Sequence, residues 1–328
     1  MDEERAISPR ADVVCLGETM ALFVPDAAGE HWRRTAGGAE SNVACHLARS
    51  GVRSRWVSAV GDDPFGRAVL DLVSASGADT SGVRVDPQRA TGLYFKDPDP
   101  SRGRVHYYRR GSAASALGPD LLGELDLSGT ALLHLTGITP ALSPSCRALV
   151  EESLELPRGP EVSFDVNWRP AVWRGSDVDD PADLLRRLAD RAGTVLVGDD
   201  EAAALWGCRT VTEVRAVLPG PRALVVKHGS RGATLVEDGA EVFQPALRVR
   251  VVDPVGAGDA FAAGYLAATL SGQDRRHRLR AGHLRAAAVL CTGDDMSAPL
   301  PAADVRRMLA ADAPAWSSAV IEEGRLTG

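Results

Sequence analysis

The sequence Asp253-Pro254-Val255-Gly256-Ala257-Gly258-Asp259-Ala260-Phe261-Ala262-Ala263-Gly264 opens a helix of small residues behind a β-prone run at 247–252. Glycines at a helix start let the backbone approach a ligand closely. The free N–H groups and the dipole of such a start favour an anion such as phosphate. Asp259 lies in the first turn, where the dipole favours a charged carboxylate. The turn therefore predicts an anion cradle beside a base that stays ionised.

This pairing suits phosphoryl transfer, because the cradle would hold developing charge while Asp259 takes a proton from a substrate hydroxyl. A glycine-rich turn with an aspartate as a simple helix cap is the alternative. The turn is not a Walker A loop, since the pattern GxxxxGK[ST] is absent from the chain. It is also not a dinucleotide-binding GxGxxG turn after an N-terminal strand.

Three further segments combine glycine or a strand end with polar side chains. In Gly37-Gly38-Ala39-Glu40-Ser41-Asn42, two glycines precede a helix whose Asn42 can form hydrogen bonds with hydroxyl groups. A tight turn with a helix cap would give the same sequence pattern. Lys227 ends a strand and precedes a glycine turn, where it would be a point charge on phosphate or a chance hairpin residue. Arg169 follows another strand, and it would either grip a carboxylate or form an ordinary surface ion pair.

Around these segments, short apolar runs alternate with helical stretches, which predicts a parallel sheet covered on both faces. The strand-like runs are Val13–Leu16, Trp56–Val60, Ala131–Leu135, Val162–Val166, Thr194–Val197 and Ala223–Val226. The helical stretches are Ala39–Arg49, Pro64–Ser76, Ser145–Leu154, Pro181–Arg191, Asp199–Trp206, Ala257–Leu270 and Arg278–Cys291.

A hairpin interrupts this rhythm. Two aromatic, β-prone runs at 91–96 and 104–109 are joined by a link at 97–103 that contains Pro and Gly. The hairpin carries Tyr94, Tyr107 and Tyr108. It is either a plain surface hairpin or a lid that presents Tyr and Arg side chains to a ligand.

Composition excludes several classes of protein. The 328 residues carry 37 Lys+Arg against 44 Asp+Glu, a net charge of −7, which argues against nucleic-acid binding. Met1–Arg10 resembles no signal peptide, and no apolar run would span a membrane. The five scattered cysteines form no CxxC pair, so we expect free thiols in a reducing cytoplasm and no structural zinc.

Three local expectations concern the surface. Only Lys96 and Lys227 are lysines among the 37 basic residues, and Lys96 is expected on the surface of the hairpin. The basic run at 275–280 is predicted to be a solvated helix start. The segment Ala313–Gly328 is expected to be loosely attached.

Taken together, the segments resemble the PfkB (ribokinase-like) carbohydrate kinase family, and within it the 2-keto-3-deoxygluconate kinases. Gly37-Gly38…Asn42 is similar to the family's N-terminal signature, and Asp253…Asp259 to its C-terminal one. The resemblance implies a three-layer α/β/α sandwich with a mostly parallel central sheet and a small β-sheet lid. It implies one kinase domain over 1–328, a lid from about 18–36 and 90–112, and a nucleotide-binding part mainly at 195–300.

The resemblance also implies roles for individual residues. The catalytic set is the base Asp259 with an anion hole formed by Gly256, Ala257 and Gly258. The nucleotide-binding set is Lys227, Gly229, Ser230 and Gly232, together with Gly256 and Gly258. The substrate-binding set is Gly37, Gly38, Asn42, Tyr94, Tyr107, Arg109, Arg169 and Asp294. Glu201 matches a metal-linked position. Gly198 and Gly282 stand where the family often has Asn.

The implied reaction is ATP-dependent phosphorylation of the 6-hydroxyl of 2-keto-3-deoxygluconate, with Mg²⁺ and room for a monovalent cation. Arg109 and Arg169 would pair with the acid's carboxylate, and a neutral sugar would leave them unpaired. The alternatives are a kinase for fructose, ribose or a related keto-sugar, or a non-catalytic sugar-acid sensor. The expected partners are the small-molecule substrate and ATP, without nucleic acid or membrane. A homo-oligomer is expected because an exposed lid edge would pair with a second subunit.

Overall fold

The computed structural model describes residues 11–26, 29–97, 105–292 and 295–327. The strands are β1 (Val13–Leu16), β2 (Met20–Pro25), β3 (Trp32–Gly37), β4 (Ser54–Gly61), β5 (Asp79–Asp86), β6 (Leu93–Lys96), β7 (Val105–Tyr108), β8 (Leu132–Thr136), β9 (Glu161–Asp165), β10 (Thr194–Gly198), β11 (Ala223–Lys227), β12 (Gly232–Glu237), β13 (Ala240–Pro245), β14 (Arg248–Val249), β15 (Val320–Glu322) and β16 (Arg325–Thr327). The helices are α1 (Ala39–Arg49), α2 (Pro64–Ala75), α3 (Pro144–Ser153), α4 (Pro170–Trp173), α5 (Pro181–Asp190), α6 (Asp199–Trp206), α7 (Val211–Val217), α8 (Ala257–Leu270), α9 (Arg275–Leu290), α10 (Ala302–Ala310) and α11 (Ala313–Ser318).

A nine-stranded sheet forms the middle of the molecule, in the order β13-β12-β11-β10-β9-β8-β1-β4-β5. Neighbouring strands from β5 to β11 are parallel, whereas β12 and β13 extend the sheet in antiparallel fashion. Strands β1, β4 and β10 are buried along their whole length, as expected for parallel strands covered on both faces. Each of the six strand-like runs predicted from the sequence overlaps one of these strands.

Helices cover both faces of this sheet. One core cluster joins it to α3, α5, α6 and α7, and includes Leu149, Leu185 and Val214. The other joins it to α1, α2, α8 and α9, and includes Val43, Val69 and Phe261. The predicted three-layer α/β/α architecture with a mostly parallel central sheet is therefore confirmed. None of the helices that the structure describes combines the length and apolar character needed to cross a bilayer.

Four strands form a separate sheet in the order β3-β2-β6-β7, which we call the small sheet. The predicted hairpin is confirmed, since β6 and β7 pair antiparallel with Tyr94 opposite Tyr107. Residues 98–104 of its link lie outside the described residues. Because side chains alternate along a strand, one face carries Tyr94, Lys96 and Tyr107, while the other carries an aromatic cluster that includes Phe95.

Two surface predictions are wrong. The segment after 313 is packed rather than loose, because buried Trp316 donates its indole N–H to the Pro245 carbonyl at 2.8 Å and β15 pairs with β14. The basic run at 275–280 is not fully solvated, because Arg278 and Arg280 are buried. Arg278 on α9 forms an ion pair with Glu237, which is the last residue of β12. The five cysteines are buried and unpaired, as predicted.

Helices α8 and α9 pack against each other closely at Gly264. A Cβ atom at this position would collide with the Ala281 carbonyl oxygen on α9 and would also crowd the Arg285 side chain. The small residue is therefore required by the helix crossing. Because α8 starts at the glycine turn, this contact also fixes the position of Asp259.

We predict that Gly264→Ala destabilises the protein by about 1–3 kcal/mol, because the backbone of α9 has to move away. Alanine is the better helix former, so helix propensity alone would give the opposite sign. Urea unfolding followed by circular dichroism measures the change. Gly123→Ala is the control, since a Cβ there meets no atom within 4 Å. Equal stability of the two variants would contradict the prediction.

Candidate active site

Polar side chains collect where the parallel strands end. Asp165 is the last residue of β9 and Lys227 the last residue of β11, so both lie at the carboxyl edge of the sheet. The Lys227 ammonium donates to both carboxylate oxygens of Asp165, at 3.0 and 2.8 Å. Burial alone would lower the pKa of Lys227, but the carboxylates of Asp165 and Glu201 outweigh burial and raise it. The ammonium is therefore charged and already paired.

The glycine turn before α8 has the geometry of an anion site. Gly256 adopts φ +80°, a left-handed conformation, and a Cβ there would lie 3.1 Å from the Cα of Asp295. Glycine satisfies both constraints. Helix α8 begins at Ala257, so the N–H groups of its first turn have no carbonyl partners within the helix. The Ala257 N–H makes only a long contact of 3.3 Å with the Pro254 carbonyl, outside the helix, so an anion at the turn could replace it.

The Asp259 carboxylate is held by two amide groups from distant segments. Asn42 on α1 donates its Nδ2–H to Oδ2 at 2.9 Å, and Asn167, after β9, donates to Oδ1 at 3.4 Å. Burial raises the pKa of Asp259 to about 7, although the amide of Asn42 opposes the shift. The expectation of a base that stays ionised near neutral pH is therefore wrong, because burial outweighs the favourable contacts with Asn42, Arg169 and Lys227. Near neutral pH the group exchanges a proton readily.

Two cavities meet at the glycine turn. The first, which we call the Asp259 cavity, has a volume of about 390 Å³ and lies under the inner face of the small sheet. The second, the Phe261 cavity, has a volume of about 700 Å³ and lies between β11–β14 and helices α8 and α9. Pro254 and Gly258 line both cavities. The glycine turn is therefore a wall that the two cavities share.

The structure brings most of the predicted site residues into these cavities. The Asp259 cavity collects the predicted substrate residues Gly37, Gly38, Asn42, Tyr94, Tyr107, Arg109 and Arg169, with Gly256, Gly258 and Asp259. The Phe261 cavity collects the predicted nucleotide residues Lys227, Gly229, Ser230 and Gly232, with Ala257 and Gly258. Glu201 lines neither cavity. Asp294 lies outside the described residues.

The two arginines expected to meet a carboxylate differ in their surroundings. Arg109 is partly buried, with 12% of its side chain exposed, and forms an ion pair with Glu18. Its guanidinium also lies 5.8 Å from the ring centre of Tyr107. Arg169 is half exposed, with Nη1 3.6 Å from Glu201 Oε1. The expectation that a neutral sugar would leave both arginines unpaired is therefore wrong, since Glu18 already neutralises Arg109.

Glu201 acts as a helix cap in this structure. Its Oε2 accepts the Gly198 N–H at 2.7 Å and its Oε1 accepts the Trp168 N–H at 2.8 Å. A Cβ at Gly198 would collide with the Asp200 carboxylate, so the Asn often found at this position would need that side chain to move. At Gly282, the missing side chain leaves room for the Phe261 ring, which a Cβ would approach to 2.8 Å.

The carboxylates of the site bear on whether Mg²⁺ could bind there. Among the residues that the structure describes, no group of three or more His, Cys, Asp or Glu side chains could hold an ion alone. Mg²⁺ keeps several waters and usually takes only one or two carboxylates plus substrate phosphates. Each oxygen of Glu201 accepts a single N–H, so it retains a lone pair, and the carboxylate of Asp165 lies nearby. A hydrated Mg²⁺ carried by nucleotide phosphates fits this donor set.

Sequence reasoning missed several residues of the site. Lys96, expected on the surface, is only 16% exposed and donates to Asp253 at 2.8 Å, with Asp295 at 3.6 Å. Asp295 also faces the Tyr94 hydroxyl at 3.5 Å. Asn167 has φ +41°, a strained value for a non-glycine residue, which a local pattern does not reveal. The scarcity of lysine in the sequence is the one signal that could have marked Lys96 as a site residue.

Comparison with known proteins agrees with this geometry. The sequence profile described as "pfkB family carbohydrate kinase" matches residues 10–303. A 2-dehydro-3-deoxygluconokinase of Thermoproteus tenax is 36% identical over 281 residues, 83% of this chain and 84% of that protein. A fructokinase of Klebsiella pneumoniae is 33% identical over 258 residues, 77% of this chain and 82% of that protein.

A solved structure gives the same result. The fructokinase double mutant of Vibrio cholerae O395, in a form with fructose, ADP and a potassium ion bound, superposes with a TM-score of 0.80 at 25% identity. The match covers 92% of this chain and 100% of that one. A fold of this size and order is thus shared with a sugar- and nucleotide-bound protein.

We predict that Lys96→Met loosens the small sheet, because it removes the ammonium that joins β6 to Asp253 and Asp295. Amide hydrogen exchange in β6 and β7 should accelerate by at least about fivefold, since two carboxylates lose their counter-charge. Arg34→Met is the matched control, because it removes an exposed positive charge from β3 of the same sheet. Unchanged exchange in Lys96→Met would show that the ion pair does not hold the sheet.

Proposed function

Because this chain belongs to the pfkB family of carbohydrate kinases, and so transfers a phosphoryl group to a sugar hydroxyl, we propose that it phosphorylates the 6-hydroxyl of 2-keto-3-deoxygluconate with ATP. The observation that carries this proposal is the carboxylate of Asp259, held between two amides where the two cavities meet. In that position it lies beside both an acceptor bound under the small sheet and a phosphate bound at the glycine turn.

In this proposal Asp259 is the base. The acceptor hydroxyl in the Asp259 cavity gives its proton to the carboxylate as its oxygen attacks the γ-phosphorus of ATP. The bond between the γ-phosphorus and the β,γ-bridging oxygen breaks, and ADP leaves with that oxygen. The amides of Asn42 and Asn167 orient the carboxylate toward the hydroxyl. The N–H groups of Gly256, Ala257 and Gly258 stabilise the charge that develops on the transferred phosphoryl group.

The nucleotide occupies the Phe261 cavity. The apolar walls from β14, α8 and α9 suit a purine, while Gly229, Ser230 and Gly232 allow the backbone to approach the phosphates. Lys227 must exchange its contact with Asp165 in part for a phosphate oxygen. Glu201 and Asp165 would hold a hydrated Mg²⁺ through its waters, and the ion would supply positive charge to the nucleotide phosphates.

The proposed substrate class rests on the residues that line the Asp259 cavity, on the small sheet and opposite it. Gly37, Gly38, Tyr94 and Tyr107 frame the sugar-binding space, and Arg169 presents a half-exposed guanidinium to it. A guanidinium fork matches a carboxylate bidentately, which favours a sugar acid. The name of the Thermoproteus tenax relative supports the same substrate, and 2-dehydro-3-deoxygluconate is another name for it.

A neutral ketose is the second candidate. The pairing of Arg109 with Glu18 favours it, because that arginine needs no substrate carboxylate, and the Klebsiella pneumoniae relative is named a fructokinase. A sugar-acid sensor is the remaining alternative. The substrate role of Asp294, the monovalent cation, the homo-oligomer, the cytoplasmic location and the division of the chain into lid and nucleotide segments stay predictions.

We predict that Asp259→Asn lowers kcat by at least about 100-fold while ATP still binds, because the variant loses the proton acceptor. In the wild type, kcat/KM should fall as the pH drops through about 7, since the raised pKa of Asp259 leaves the group protonated below that value. Steady-state kinetics measure both effects. They cover roughly two pH units on either side of that value, from about pH 5.5 to about pH 9.

The control for this experiment is Asp62→Asn, which removes an exposed carboxylate that lines neither cavity. Near-normal turnover of Asp259→Asn would exclude the proposed base. Binding of the sugar acid to wild-type protein without ADP formation would favour the sensor.

We predict that wild-type kcat/KM is higher for 2-keto-3-deoxygluconate than for fructose, and that Arg169→Met loses at least about tenfold on the acid with little change on fructose. The loss follows from removal of a charge-assisted bidentate contact. Arg174→Met, which removes an exposed arginine outside the cavity, is the control. A higher kcat/KM for fructose would overturn the proposed substrate while leaving the kinase activity intact.

A further inference from the structure

A third cavity lies behind the active site. It has a volume of about 520 Å³, lies between the end of α1 and helices α8, α9 and α10, and shares no lining residue with the Asp259 or Phe261 cavities. We call it the arginine cavity, because Arg49, Arg285 and Arg306 line it. Nothing in the proposed kinase reaction uses it.

The lining of the arginine cavity is basic and apolar. His277 joins the three arginines, and the remaining walls are mostly aliphatic, including Leu284, Leu300 and Val305. None of its lining residues is an aspartate or glutamate. In a protein with a net charge of −7 this is a locally positive site, and its shape and charge suit an anion with an apolar part.

The buried arginine of this cavity lacks a counter-ion among the residues that the structure describes. Arg285 is only 5% exposed, and its Nε and Nη1 groups have no hydrogen-bond partner there. Its Nη2 group contacts the Ser297 carbonyl at 3.0 Å, and Arg49 donates to that same oxygen at 2.9 Å. Two guanidinium groups therefore share one carbonyl, with no carboxylate between them. Buried charges are normally paired, so an anion beside them would relieve this repulsion.

Arg306 adds a third, accessible charge. It is exposed on α10 at the rim of the cavity, and none of the described residues forms an ion pair with it. A ligand anion could therefore contact Arg306 without breaking an existing pair. The neighbouring Arg307 is also exposed, but it pairs with Asp304 and does not line the cavity.

Arg49 and Arg285 also hold the loop at 295–297, through the Ser297 carbonyl. The other side of this loop faces the Asp259 cavity. Burial lowers the pKa of His46 to about 3, so its neutral ring accepts from Arg285 at Nδ1 and donates from Nε2 to the Asp295 carbonyl at 3.0 Å. The Asp295 carboxylate faces Tyr94 and Lys96 in the Asp259 cavity. One short loop thus separates the arginine cavity from the substrate site.

We propose that the arginine cavity binds a small anion, a carboxylate or phosphate ester with an apolar part, and that its occupancy changes substrate affinity through the loop at 295–297. The anion binds beside the unpaired Nε and Nη1 groups of Arg285, pairs with Arg49 and Arg306, and draws Arg49 away from the carbonyls of that loop. The coupling half of this inference rests on the proposed function, whereas the binding half stands on the cavity alone. Linkage requires that the substrate change anion affinity by the same factor.

The binding half is tested by calorimetric titration of the full-length protein with hexanoate and, separately, with inorganic phosphate. A nonhydrolysable ATP analogue and Mg²⁺ are present throughout, so that the phosphate positions of the active site are filled. We expect saturable binding of one equivalent, weakened at least about fivefold in Arg306→Glu and unchanged in Arg307→Glu. Tighter binding of hexanoate would indicate a carboxylate ligand, and tighter binding of phosphate a phosphate ester.

Two outcomes would overturn the binding half: no saturable binding of either probe, or equal binding by the two variants. The coupling half is tested by measuring the Kd of the sugar acid with and without saturating probe. We expect at least about a threefold change in the wild type that is lost in Arg306→Glu. An unchanged Kd in the wild type would refute coupling, and failure of the sugar acid to bind at all would refute the proposed substrate instead.

Discussion

The burial of one carboxyl group at the start of α8 is the constraint on which the rest of the site depends. Desolvation raises the pKa of Asp259 to about 7, which makes it a stronger base in the proposed reaction. The cost is limited by amides from α1 and from the turn after β9, which lie far from α8 in sequence. These three segments can meet only if the central sheet and both helical layers are in place. The fold is therefore a precondition of the proposed proton transfer.

The sequence was most informative where function requires a local pattern. The alternation of apolar runs and helices predicted the parallel sheet, because buried strands leave a signal within a few residues. The glycine turn and Asp259 were found for the same reason, since helix start, glycines and acid are contiguous. Asn167 was missed although its segment was singled out, because its role depends on a strained backbone and a partner on another helix.

Charge was the least predictable property. Lys96, Arg109 and Arg278 each have partners that no local pattern identifies, namely Asp253, Glu18 and Glu237. Each pairing changed an expectation. Lys96, expected on the surface, links the small sheet to the glycine turn. Arg109, expected to pair with a substrate carboxylate, already pairs with Glu18, and Arg278, expected in solvent, is buried with Glu237. Ion pairs depend on tertiary geometry, so their partners are set by the fold rather than by spacing along the chain.

The pairing of β14 with β15 has a consequence for biosynthesis. Arg248 and Val249 of β14 form part of the wall of the Phe261 cavity, and their strand partner is Val320–Ile321. On a ribosome, the sheet, the glycine turn and Asp259 emerge well before that partner does. The nascent chain therefore carries the proposed base before this wall of the Phe261 cavity is braced. Completion of this cavity waits for the segment at 320–321, which lies far beyond β14 along the chain.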